Sequence, residues 1–253
     1  MNGFLSAVAL MTALPVPGGR RDIAGGLRWF SAVGLLLGAI LAGCWWLATR
    51  GWPGTLVPAA ITVTAWAALT GMLHLDGLAD VADAALVSAD RERRASILHD
   101  VHHGTFGIVA VVLILLLKVA ALSACSTRDG VLLLAVVPAC GRAALPLVVR
   151  FQATIPASQM AASAASAATP VAIGAGIGLA ALPAGLLLGF PGAAVFAFCL
   201  GAGVAATALL SRRFGGINGD CLGAAVELGE TAGLLAGSAL LAHVSASGAW
   251  AFR

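Results

Sequence analysis

Residues 55–73 read TLVPAAITVTAWAALTGML, and residues 74–83 continue HLDGLADVAD. The first stretch carries no charged residue. At about 1.5 Å per residue, a helix of that length spans the roughly 30 Å hydrocarbon core of a bilayer. The second stretch holds Asp76, Asp80 and Asp83. On a helix, positions i, i+4 and i+7 share one face over two turns. An apolar segment thus delivers three stacked carboxylates to a membrane edge. Carboxylates so arranged repel one another unless a divalent cation neutralises them, and an all-oxygen set suits Mg²⁺. The plain alternative is a solvated acidic loop, since charge runs are common on surfaces.

The composition supports the membrane reading. Of 253 residues, 60% are hydrophobic and 10% charged, and the mean hydropathy is +0.99. Soluble domains carry roughly 25% charged residues. The net charge of +3 is too small to suggest a nucleic-acid partner. With six Trp and no Tyr, interfacial anchoring falls to Trp. The five cysteines are scattered without a C-x-x-C pair, which argues against a disulfide framework or a zinc site. The N-terminus lacks a basic opening region, so no cleavable signal peptide is expected.

Apolar runs at 29–49, 55–73, 105–124, 130–149, 171–189, 193–210 and 221–244 predict about seven spans. A short surface helix is expected from Asp90 to Asp100. The Ala/Ser-rich linker 157–169 reads as a weak helix or a flexible loop. The expected fold is an all-α polytopic transmembrane bundle in one domain, 1–253, with short surface helices on the cytoplasmic side. With a cytoplasmic N-terminus, nine basic residues fall on that side and three on the other, as the positive-inside rule requires. Lys118 and Arg142 lie within spans.

Nine of the eleven acidic residues fall in two segments on the same predicted side, 74–107 and 216–230. Asp220 and Glu227 are again i and i+7, and Glu227 lies two turns inside the last span. An intramembrane carboxylate is costly and usually faces a partner or a cavity. Two acidic faces meeting at a membrane edge, with Arg nearby, suit metal-assisted phosphoryl transfer. Arg91, Arg93 and Arg94 are candidate phosphate clamps, or a solvated face. Lys118 and Arg142 are stronger candidates because a buried cation needs a reason, though an ion pair would supply one. Gly104 and Gly107, and the glycines around Asn218, permit close backbone approach to a ligand or simply a turn. His74, His99, His102 and His103 cluster near the acidic segment, and one of them is a candidate general base. His243 is expected to be structural.

These residues carry a resemblance. Residues 12–17 (TALPVP), the HLDGLADVAD stretch, Arg91 to Arg94, Asp100 with Gly104-Thr105-Phe106-Gly107, Leu116 to Val119, Gly141-Arg142 and residues 218–230 (NGDCLGAAVELGE) follow one another along the chain. In that order they resemble the adenosylcobinamide-GDP ribazoletransferase (cobalamin synthase) family. His102-His103 and the linker without glycine depart from its pattern. The resemblance implies a Mg²⁺-dependent enzyme that joins adenosylcobinamide-GDP to α-ribazole or its 5′-phosphate and releases GMP. It implies a multi-pass protein of the bacterial cytoplasmic (inner) membrane, contacting membrane lipid and other cobalamin-assembly enzymes, with its active site facing the cytoplasm. On this reading Asp76, Asp80, Asp83 and Asp220 bind metal. Asp100, Asp220 and Glu227 complete the catalytic set. His74, Arg91, Arg94, Gly104, Gly107, Lys118, Arg142 and Asn218 bind substrate.

Two other functions compete. A CDP-alcohol phosphotransferase also uses Asp clusters at a membrane edge, but the register of the acidic residues differs here. A divalent-cation transporter would thread its carboxylates through the membrane, whereas these gather at one face.

Overall fold

The computed structural model describes residues 3–16, 22–98, 104–155 and 158–246. Every regular element among them is a helix, and an isolated parallel bridge joins Thr154 to Ile217. In chain order the helices are α1 (Gly3–Met11), α2 (Ile23–Gly26), α3 (Phe30–Gly51), α4 (Val57–Leu69), α5 (Leu73–Leu86) and α6 (Arg91–Leu98). There follow α7 (Thr105–Ser123), α8 (Thr127–Phe151), α9 (Gln159–Ala167), α10 (Pro170–Leu188), α11 (Phe190–Phe214) and α12 (Gly219–Ala246). A 3₁₀ turn, Leu27–Trp29, fuses α2 to α3. Among the described residues, six helical segments are long and apolar enough to cross a membrane, and the count is seven if the bent pair α4–α5 is one broken span. Exposed Leu47, Leu116, Leu186, Phe198 and Leu209 on their outer faces suit lipid rather than water.

Helix α8 is the axis. It packs on α3, α10, α11 and α12, and it is buried almost continuously from Leu133 to Val149. Pro138 within it has no N–H, so the Leu134 carbonyl loses its helical partner. Helix α3 crosses at that point with Gly34 and Gly38 one turn apart. A Cβ at Gly38 would stand 2.6 Å from the carbonyl oxygens of both Leu134 and Ala135. Only glycine permits so close a crossing, which is how small residues four apart drive helix association in lipid.

The second predicted span, 55–73, is corrected. Helix α4 stops at Leu69, and α5 leaves at 88° to it. The Gly71 N–H donates to the Ala68 carbonyl (3.0 Å) and the Met72 N–H to the Ala67 carbonyl (2.9 Å), the paired bonds of a Schellman stop. Gly71 supplies the left-handed conformation at φ +60, and Met72 follows at φ 60. A left-handed non-glycine residue costs about 1–2 kcal/mol; Met72, an exposed residue, is held there by its N–H on the Ala67 carbonyl and by its own carbonyl, which accepts the Asp76 N–H (2.9 Å). The apolar count in 55–73 is high enough for one span, but Gly71 ends the helix two residues before that count ends. The linker reading is resolved too: 159–167 is helical, started by the Ser158 hydroxyl accepting from the Ala161 N–H.

One end of the bundle gathers the acidic motifs. The bridge between Thr154 and Ile217 ties the segment after α8 to the start of α12. Arg213, at the end of α11, donates to the Ala85 carbonyl of α5 at 2.9 Å. The Ala13 N–H, after α1, donates to the Leu69 carbonyl at the end of α4 (2.8 Å). Helix α5 lies among these termini against α7 and α12.

Candidate active site

Helix α5 carries Asp76, Asp80 and Asp83 on one face, and they have different fates. Asp76 is exposed, Asp80 is half-buried and Asp83 is buried. The Asp83 carboxylate accepts the Gly104 N–H on one oxygen (2.7 Å) and the Gly107 N–H on the other (2.9 Å). These are orphan donors of the first turn of α7, which a carboxylate satisfies well because the helix dipole also favours negative charge there. Asp83 therefore caps α7 from a different helix. Gly104 and Gly107, read from the sequence as a ligand approach, instead allow α7 to come down onto Asp83. A Cβ at Gly107 would stand 2.8 Å from the Ala79 carbonyl oxygen.

Asp220 opens α12. Asn218 caps that helix: its side-chain oxygen accepts the Cys221 N–H (3.1 Å), and its Nδ2 donates to Asp220 Oδ2 at 2.7 Å. Asn218 was expected to touch substrate, and in the structure it orients Asp220. Gly77 brings the two acidic helices together, since a Cβ there would lie 3.0 Å from Asp220 Cα. A Cβ at Gly223 would likewise lie 3.3 Å from His74 Cα.

Between these helices and α1, α2, α3, α8 and α9 lies a cavity of about 120 Å³. Its polar wall is His74, Asp76 and Asp220, and its apolar wall includes Met11, Phe30, Leu145, Met160 and Leu222. Asp76 also borders an open apolar groove of about 370 Å³ between α5 and α7. A recess of about 480 Å³ at the other end is lined by turn residues such as Pro53, Gly54 and Ser126, and no acidic-motif residue reaches it.

Glu227, Lys118 and Arg142 sit elsewhere, inside the bundle. Lys118 Nζ donates to Glu227 Oε2 (2.7 Å) and Glu230 Oε2 (2.8 Å), and Arg142 Nη1 donates to Glu230 Oε1 (2.7 Å). All four side chains are at most 4% exposed. Lys118 also lies 4.3 Å from the centre of the Trp66 ring, a cation–π contact. The two expected phosphate clamps thus have carboxylate partners, and the expected catalytic Glu227 has a lysine. Glu230 completes this layer and escaped the sequence reading, although it stands one turn beyond Glu227 on the same face.

Other expected residues lie apart from the cavity. Arg91 is exposed and rests against Gly215, whose Cβ would meet its Nη1 at 2.8 Å. Arg94 donates to the Val87 carbonyl (3.3 Å). Asp100, His99, His102 and His103 lie outside the described residues, as does Pro17 of the 12–17 motif.

Residues 3–238 match the family model described as cobalamin-5-phosphate synthase. The chain belongs to that family. It is 36% identical to the adenosylcobinamide-GDP ribazoletransferase of Novosphingobium aromaticivorans, over 99% of this chain and 98% of the relative. It is 39% identical to the protein of the same name from Alkalilimnicola ehrlichii (96% and 97% covered) and 38% identical to that of Pseudomonas fluorescens (93% and 98%). No solved structure matches.

In this member of the cobalamin-5-phosphate synthase family, no group of three or more His, Cys, Asp or Glu stands ready for a metal among the described residues. Asp83 is already engaged by two amides. The carboxylates at the cavity edge are Asp76 and Asp220, beside His74, and Asp80 stands one turn along α5 from Asp76. Mg²⁺ is commonly held by one or two carboxylates plus substrate phosphates and retained water. That donor set fits an ion arriving with a pyrophosphate better than a closed protein cage.

Proposed function

We propose that this chain is the membrane enzyme that joins adenosylcobinamide-GDP to α-ribazole, or to its 5′-phosphate, with release of GMP. Membership of the cobalamin-5-phosphate synthase family, together with Asp76 and Asp220 bordering one cavity, carries the reading. The reaction forms a bond between an α-ribazole ribose oxygen and the phosphorus attached to cobinamide. It breaks the bond from that phosphorus to the GMP oxygen. Asp220, held by Asn218, orients the attacking hydroxyl and takes its proton. Asp76 and Asp80 would hold Mg²⁺, which when bound supplies neutralisation of the pyrophosphate charge. The nine-to-three bias of basic residues supports an acidic end facing the cytoplasm across the bacterial inner membrane. The exposed apolar helix faces support contact with lipid.

The test is GMP release by the purified, detergent-solubilised protein given adenosylcobinamide-GDP and α-ribazole, with and without Mg²⁺. The reading expects GMP and cobalamin to appear in step, and only with all components present. Folded protein that releases no GMP, or releases it without forming cobalamin, overturns it.

A further inference from the structure

The acidic end of the bundle also carries a basic seam that the proposed reaction does not use. Helix α5 ends at Leu86, α11 ends at Phe214, and α6 lies against both. Arg213 donates to the Ala85 carbonyl (2.9 Å), and Arg94 donates to the Val87 carbonyl (3.3 Å). The Arg91 guanidinium rests on Gly215, which closes α11 in the left-handed conformation. Arg93, on α6, and Arg212, on α11, are exposed. Among the described residues none of these arginines forms an ion pair. The Asp90 carboxylate caps α6 by accepting the Arg93 N–H (2.8 Å), and Glu92 is exposed. The C-termini of α5 and α11 supply about half a negative charge each. Set against five arginines, these leave a surplus of about two positive charges, which calls for an anion.

The surroundings select the anion. Phe198, Ala205, Leu209 and Arg212 recur at helical spacing and share one face of α11. That face is exposed along its length and apolar as far as Leu209, and Arg212 stands one turn beyond. Leu86, 60% exposed, ends α5 next to the Ala85 carbonyl that Arg213 holds. An apolar stripe that gives way to arginine within one turn marks the level of lipid headgroups, where the side chain keeps its stem in apolar surroundings and its charge at the surface. Along α5, Leu86 lies ten residues from Asp76, which is about 15 Å. A pyrophosphate held at Asp76 does not touch the seam across that distance.

We infer that the seam of α5, α6 and α11 binds an anionic phospholipid of the leaflet at this end, with the lipid phosphate on Arg91 and Arg212 and its acyl chains against Leu209 and Leu86. Arg94 and Arg213 stand behind, adding charge while they fasten the end of α5. The lipid is selected by charge. Phosphatidylglycerol carries a net negative headgroup and fits, whereas the ammonium of phosphatidylcholine cancels its phosphate. A lipid so placed joins α6 to α11 and steadies the far end of the helix that bears Asp76, Asp80 and Asp83. The inference does not depend on which reaction the acidic motifs perform.

The test is binding to the full-length protein in an uncharged detergent, counted by native mass spectrometry during titration with phosphatidylglycerol, phosphatidylcholine, inorganic phosphate or GDP. Phosphatidylglycerol is expected to bind most tightly. One arginine near an anionic surface is worth roughly fivefold in affinity. Arg91→Gln and Arg212→Gln are therefore each expected to weaken phosphatidylglycerol binding about fivefold, and the double variant further. Arg50→Gln, at the opposite end of the bundle on α3, leaves it unchanged. Arg91 and Arg212 are exposed, so neither substitution empties the core. Should a variant fail to fold, the comparison of phosphatidylglycerol with phosphatidylcholine on the wild-type protein still decides. Equal binding of the two lipids, or unchanged phosphatidylglycerol binding in the double variant, overturns the site. So does phosphate or GDP binding more tightly than lipid and weakening with both substitutions, which would make the seam a site for free phosphate.

Discussion

Replacing Glu230 by Gln removes one anion from a buried layer of two cations and two anions. Glu230 divides its oxygens, one to Arg142 at 2.7 Å and one to Lys118 at 2.8 Å. With charge centres about 4 Å apart, each attraction is worth about 4 kcal/mol at an effective dielectric constant near 20. Two attractions are lost. Part of that loss is offset, because the desolvation of one anion and its repulsion with Glu227 also disappear. Lys118 keeps Glu227, while Arg142, among the described residues, keeps the Pro138 carbonyl at 2.8 Å. The expected net cost is about 3–5 kcal/mol, typical of breaking a buried pair by removing one partner. For a chain of this size that lowers Tm by about 10 °C. The assay is thermal unfolding of purified protein in detergent, followed by tryptophan fluorescence and by loss of the monodisperse peak. The double variant Glu230→Leu with Arg142→Leu removes both partners of one pair and is expected to recover most of the loss. A Glu230→Gln protein as stable as wild type refutes the structural role of the layer. So does a normal Tm accompanied by a raised donor KM, which would return Lys118 and Arg142 to phosphate binding.

Asp83→Ala removes the cap of α7 and is expected to cost about 1–2 kcal/mol, read as a fall in Tm; an unchanged Tm would show that the cap contributes nothing. Asp76→Asn and Asp80→Asn should each abolish GMP release while Tm stays within a few degrees of wild type, and full turnover in either variant sinks the assignment. Gly77→Ala should push the first turn of α12 off α5 and cut kcat at least about tenfold, as small misplacements of reacting groups do. Normal kcat in that variant would show that the spacing of Asp76 and Asp220 is not critical.

The spans were legible because a run such as 105–124 is apolar without interruption, and that pattern has few alternatives. The bend between α4 and α5 was written in Gly71, but one glycine in an apolar run is weak evidence until its partners at Ala67 and Ala68 are seen. Asp83 was indistinguishable from Asp76 and Asp80 by spacing, because capping depends on where another helix begins. Lys118 and Arg142 stood out as buried cations, yet their partners lie on α12, more than eighty residues away in sequence. The apolar half of the cavity comes from α1, α2, α3, α8 and α9, whose residues carry no local mark of a site.

The cap at Asp83 has a consequence for how the site idles between turnovers. Helix α5 is fastened to α7 by peptide amides, and those stay in place whether or not a cation is present. The spacing from Asp83 back to Asp80 and Asp76 is then set by the helix itself. An acidic face built this way keeps its spacing without needing a bound cation to hold α5 in place. The permanent counterweight to the third carboxylate is the end of a helix.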